Sequence, residues 1–138
     1  VGSLEPKLTV SGGIVSTAGI TPDTRYPWGQ CTWWAATRRA DIGKPIPGWG
    51  NAATWAGSAA SAGYTVDGSP SAGSVIVFQP GVLGASADYG HVAMVEEVRG
   101  DGSILISESN ALGLGVVSTR EISASQLAAA GNGVRYIH

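Results

Sequence analysis

The stretch "HVAMVEEVRGDGSILISES", residues 91–109, decides how this chain folds. Two runs rich in β-branched residues, 91–98 and 103–109, flank a short polar segment with glycines, the pattern of an antiparallel hairpin. Further out, "SVIVF" (74–78), "GVVSTREI" (115–122) and "VRYIH" (134–138) repeat the texture, each a short run between turn residues. Among them only "SASQLAAAGNG" (123–133) suits a short helix. Upstream the composition changes. From Cys31 to about Arg39 glycine and proline stop, and "CTWWAATRRA" suits a helix with Arg38 and Arg39 in its last turn and Gly43 just beyond. A second helix is expected from Asn51, a suitable N-cap, through alanine-rich sequence to Ala62, with Gly63 as its stop. Helices first and consecutive strands after predict an α+β fold, with N-terminal helices packed on a central antiparallel sheet, because parallel strands would need helices between them.

The hairpin also brings polar residues together. A four-residue loop over Arg99–Gly102 would set His91 opposite Asn110, with Glu108 on the same face and diagonal to the imidazole. A type I′ turn at Asp101–Gly102 would instead shift the register and carry Glu108 away, so both arrangements stay open. Cys31 is the only cysteine of the chain and opens the first expected helix. A thiol there feels the positive end of the helix dipole, which favours thiolate, and an adjacent imidazolium would favour it further. Cys31 is then a candidate nucleophile and His91 its proton carrier, with Glu108 or Asn110 fixing the ring. The backbone N–H of Cys31 and the side chain of Gln30 are candidate donors to an oxyanion.

Competing readings are structural. A lone cysteine is often a small buried hydrophobe, and a histidine at a strand end needs no chemistry to justify it. Five tryptophans fall in the first half; Trp33 or Trp34 and Trp55 suit the core, whereas Trp28 and Trp49 either wall a binding groove or fill the core as well. The other histidine, His138, is the last residue and is expected to fray. Arg99–Asp101 spells an adhesion tripeptide, which a polar turn explains more simply. No metal site is expected, since His91 has no second histidine at ligand spacing and the acids are dispersed.

The totals narrow the partners. In a chain of 138 residues, 43% apolar content supports one core without staples. Eight basic against ten acidic residues give a net charge of -2, too little positive charge for nucleic acid or an acidic membrane surface. No apolar run reaches the roughly 20 residues needed to span a bilayer, so no membrane insertion is expected. Residues 1–22 mix Gly, Ser, Thr and Pro without a period and read as a linker or an N-terminal arm, leaving 23–138 as the domain proper.

Taken together, "YPWGQCTWWAA", "GWGNAATWAGSAASAGYTV", "SPSAGSVIVF", "YGHVAMVEEV" and "ILISESN" resemble the CHAP family, the cysteine, histidine-dependent amidohydrolases/peptidases of bacterial cell-wall enzymes and phage lysins. The resemblance runs from about Tyr26 to the C-terminus. It implies a papain-like fold, with Cys31 as nucleophile, His91 as base, Glu108 as the orienting group and Asn110 at a further polar position. It implies a cofactor-free hydrolase of peptidoglycan, cutting either between muramic acid and the first alanine of the stem or within the stem and cross-bridge peptides. A secreted or wall-associated monomeric module of a larger hydrolase is the matching expectation, with a catalytically silent wall-binding module of the same fold as the rival. Some family members hold calcium through several aspartates shortly before the nucleophile; here that stretch carries Asp23 alone, and calcium is not carried over.

Overall fold

In the computed structural model, which describes residues 2–138, the expected hairpin is the centre of one antiparallel sheet. Its strands in chain order are β1 (Gly2–Ser3), β2 (Thr9–Ser11), β3 (Ile14–Ser16), β4 (Val66–Asp67), β5 (Val75–Phe78), β6 (His91–Val98), β7 (Ile104–Ser109), β8 (Val117–Ile122) and β9 (Val134–Ile137). Across the sheet the order is β2-β3-β8-β7-β6-β5-β9-β4, and β1 lies beside the far end of β6, which β5 leaves unpaired. The five strands expected from sequence are all present, with ends displaced by a residue or two. Residues 1–22, read as a linker or arm, contribute the three short strands at the start. Those strands are two or three residues long and mostly exposed, so they carry no alternation that a sequence could display.

The hairpin register differs from both sequence alternatives near its turn. Val98 pairs with Ile104 rather than Ser103, because Ser103 joins the loop: its N–H and hydroxyl both donate to Asp101 Oδ1, and the Arg99 N–H donates to its carbonyl. A bulge between Val95 and Glu97 then absorbs the extra residue, and Val95↔Ile106 and Met94↔Ser107 resume the register of the four-residue loop. The offset is cancelled before the strands reach His91.

Both faces of the sheet are covered. Helix α1 (Cys31–Asp41) and helix α2 (Trp55–Ser61) pack on one face, against Val75, Val77, Val92, Met94 and Val117. Helix α3 (Ala124–Ala130) and the 82–85 turn cover the other, over Ile76, Phe78, Ala93, Val95, Ile104 and Ile106. The expected N-cap at Asn51 is corrected: its side chain makes no capping bond, and residues 52–54 form a 3-10 turn before α2. The Ala53 N–H donates to the Tyr89 carbonyl at 2.9 Å, which pins that turn to the loop before β6. Helix α3 begins with a full capping box, Ser123 with Gln126.

The last turn of α1 is not a solvated basic end. Arg38 is completely buried, its guanidinium donating to both carboxylate oxygens of Glu96, to Asp41 and to the Pro6 carbonyl. Glu96 also accepts from Ser107 Oγ at 2.8 Å, and Ser107 Oγ accepts from Trp34 Nε1 at 2.9 Å. Helix, bulge, neighbouring strand and arm are thus joined through one buried polar network. Arg39 donates to the carbonyls of Lys44, Gly73 and His138. His138, expected to fray, is held: its ring bonds Ser71 Oγ and Asp67 Oδ1, each at 2.8 Å, and its N–H donates to the Thr65 carbonyl.

Candidate active site

Three elements converge where α1 begins. Gln30 precedes the helix without a side-chain capping bond, so the first-turn N–H groups remain unsatisfied by it. The β6–β7 ladder ends at Met94↔Ser107, and beyond it the thiol of Cys31 meets the N–H groups of Val92 and Thr32. His91, the first residue of β6, pairs with Phe78 of β5, and its ring lies 5.5 Å from the Phe78 ring. Gly90 sets its entry. That residue has φ +71, and a Cβ there would stand 2.5 Å from the Phe78 carbonyl oxygen. Gly90→Ala is therefore expected to cost about 1–3 kcal/mol from strain, to be read as a lowered Tm, and to displace His91.

The imidazole interacts on one side with Cys31 and on the other, through Nε2, with Glu108 Oε1 at 2.9 Å. Burial disfavours the charged ring, but hydrogen bonding with Cys31 and Glu108, and their negative charge, outweigh it and push the His91 pKa up to about 9. Burial likewise pushes the Cys31 thiol up, yet the hydrogen bond and charge of His91 together with the Val92 and Thr32 N–H groups bring it below the ordinary thiol value. For Glu108 burial is again opposed, by the His91 hydrogen bond and the Arg120 guanidinium, and its pKa falls below the usual carboxylate range. All three shifts favour thiolate, imidazolium and carboxylate together.

Glu108, and not Asn110, meets the ring. Asn110 sits exposed at the end of β7 with φ +66, and its Nδ2 donates to Gln30 Oε1 at 3.1 Å. The two remaining sequence candidates lie elsewhere. Trp49 is buried among Tyr26, Trp55 and Tyr64, so its reading as a groove wall is corrected to core. Its polypeptide still contributes, because Gly48 and Gly50 on either side of it line a cavity beside Cys31. Trp28 is 62% exposed but stacks over Gly115 and tilts against Trp33, outside the cavities that flank the thiol.

Two cavities meet at Gln30, Cys31, Tyr89 and Gly90. One, of about 540 Å³, is walled by His91, Glu108, Asn110, Leu112, Arg120 and the 83–86 turn. The other, of about 470 Å³, runs past Arg25, Tyr26, Gly48 and Asn51. Cys31 lines both and stands at their junction. Sequence reasoning missed Tyr89 and Arg120. Arg120 lies diagonal to Glu108 once β8 is aligned on β7 through Ile106↔Arg120, and a basic residue amid the β-branched run 115–122 was the available clue. Among the described residues no cluster of three His, Cys, Asp or Glu side chains could hold a metal ion. Asp23 turns its carboxylate to the N–H groups of Arg25 and Tyr26.

A helix-borne thiol set against a strand-borne imidazole and its carboxylate, on an antiparallel sheet covered by N-terminal helices, defines a papain-like α+β domain. Comparison with known proteins narrows the class. The CHAP domain model matches residues 21–110, and the chain belongs to that family. It is 40% identical to the N-acetylmuramoyl-L-alanine amidase sle1 of Staphylococcus aureus, with 96% of this chain and 41% of that protein covered. It is 46% identical to the probable autolysin SsaALP of the same species, over 79% of this chain and 39% of that one. A crystal structure of an N-acetylmuramoyl-L-alanine amidase from Staphylococcus aureus superposes with a TM-score of 0.76 at 41% identity, covering 83% of this chain and 31% of that chain. The chain thus spans less than half the length of these relatives.

Proposed function

We propose that this domain hydrolyses amide bonds of peptidoglycan, with Cys31 as nucleophile and His91 as proton carrier. The observation that carries the reading is the Cys31–His91–Glu108 line at the junction of two open cavities, in a chain whose similar relatives include proteins named N-acetylmuramoyl-L-alanine amidase. Those names favour the bond between muramic acid and the stem's first alanine over bonds within the stem. The Cys31 thiolate attacks the carbonyl carbon, and the oxyanion forms beside the Cys31 N–H at the helix start. Gln30, whose Oε1 is engaged by Asn110, offers its NH₂ to the same cleft. Imidazolium gives its proton to the departing amine, leaving a thioester; His91 then takes a proton from water as hydroxide attacks, and the thiolate is released. Glu108 holds the ring by Nε2, which keeps the other ring nitrogen for the thiol and the leaving group.

The relatives' greater length supports a module of a larger secreted or wall-associated protein. Mass analysis of fragments freed from purified walls tests the reading: release of stem peptides with a free alanine amine is expected, whereas fragments cut only in glycan strands would refute it. The rate should also follow a bell-shaped pH profile. It rises as Cys31 ionises beside His91, and it falls as the imidazolium loses its proton around pH 9. A flat profile under conditions where chemistry limits the rate would contradict the ion pair.

A further inference from the structure

Two neighbours of the His91 ring, the Glu108 carboxylate and the Phe78 ring, meet the same third side chain. Arg120 of β8 forks onto Glu108, Nε to Oε2 and Nη2 to Oε1, both at 3.0 Å. Its Nη1 donates to the Leu83 carbonyl at 2.9 Å, in the turn that walls the larger cavity. Leu83 carries φ +51, a backbone state that a leucine adopts only when something holds it. The guanidinium carbon also lies 5.5 Å from the centroid of Phe78, whose ring in turn tilts against His91.

Building on the function proposed above, we infer that Arg120 is a positioning residue: it fixes Glu108, and through it His91, while pinning the Leu83 wall of the substrate cavity. A carboxylate held by one partner can rotate about its last bonds; a planar fork closing on both oxygens removes that freedom. Glu108 Oε1 accepts from His91 and from Arg120 at once, so the direction in which it presents its lone pairs to the ring is set from behind. The fork also shares the carboxylate charge between two cations, which moderates how far Glu108 raises the basicity of the ring, and so how readily the other ring nitrogen gives its proton to the leaving amine. The titratable or charged groups facing His91 are Cys31 from α1, Glu108 from β7 and Arg120 behind it from β8, with Tyr89 lining the same cavity.

The test separates positioning from mere packing. Arg120→Met is expected to lower kcat on purified walls about 10- to 100-fold while circular dichroism retains the folded signal. Arg120→Lys, which keeps the charge without the fork, should fall between the two. The second readout needs no turnover. In a Cys31→Ala background, where the thiol no longer couples to the ring, the imidazole NMR signal of His91 is followed against pH; the chain has only two histidines, and His138→Gln assigns them. Adding Arg120→Met should raise the His91 midpoint by about one pH unit, since Glu108 then acts on the ring alone. A His91 titration that coincides with the parent's would overturn the inference even if the rate falls, reducing Arg120 to a packing group. A kcat within twofold of wild type would overturn it as well. Failure of the wild-type protein to cut walls would refute the proposed function and leave the titration result standing.

Discussion

Cys31→Ala is expected to reduce wall hydrolysis by a factor of about 10⁴ or more and to leave the fold intact. The side chain is only partly covered and sits at a helix start, so losing its sulfur opens no large void. What is lost is the proposed nucleophile and, with it, the negative partner of the His91 imidazolium. Cys31→Ser should fare nearly as badly, because the site is arranged for a group that is already ionised beside imidazolium, and a hydroxyl is not. Clearing of purified wall suspensions measures the rate and thermal unfolding controls for the fold; undiminished clearing by the alanine variant would rule out thiol catalysis. The silent-module alternative is met separately. Iodoacetamide at mildly acidic pH should alkylate Cys31 rapidly if it is held as thiolate, and slowly if it is an inert thiol.

The second large effect concerns stability. Arg38→Met should destabilise the protein by about 3–5 kcal/mol, because it strands the Glu96 carboxylate on the covered face of the sheet with only Ser107 as a partner. For a chain of this size that is a drop in Tm of roughly 10–20 °C. The double change Arg38→Met with Glu96→Leu should recover most of the loss, since it removes both charges rather than one. A single variant that melts with wild type would mean that the pair contributes nothing to the fold. Some activity should be lost even below the melting temperature. The same network fixes α1, which carries Cys31, to β6 and β7, which carry His91 and Glu108.

What could be read from the sequence followed periodicity. Strands β5 to β9 announced themselves by β-branched runs between turn residues, and α1 by the absence of glycine and proline from Cys31 onward. The relation of His91 to Glu108 was one of two arrangements the sequence left open, and the turn itself follows neither; the bulge between Val95 and Glu97 restores the register that brings them together. Arg120 was not legible in the same way. Its place beside Glu108 depends on the β7–β8 register, set across the longer segment 110–116, where Gly29 and Gly115 bring two backbones together and no turn rule applies. Burial of Arg38 and Arg39 escaped for another reason: charged residues at a helix end are ordinarily solvated, and apart from that of Lys44 the carbonyls that receive these two come from segments far away in sequence. Trp49 shows the limit of composition, since glycines around a tryptophan look alike whether its ring faces solvent or core.

The bulge at Glu96 lets the tip and the mouth of the hairpin obey different arithmetic. Like a slip joint in a pipe, it takes up the surplus residue of the loop within the span of the strand, so the length of the tip does not dictate which residue faces which at the other end. Tip and mouth are mechanically decoupled, and a lineage of such proteins is free to vary Arg99–Ser103 while the diagonal that joins imidazole to carboxylate stays where it is.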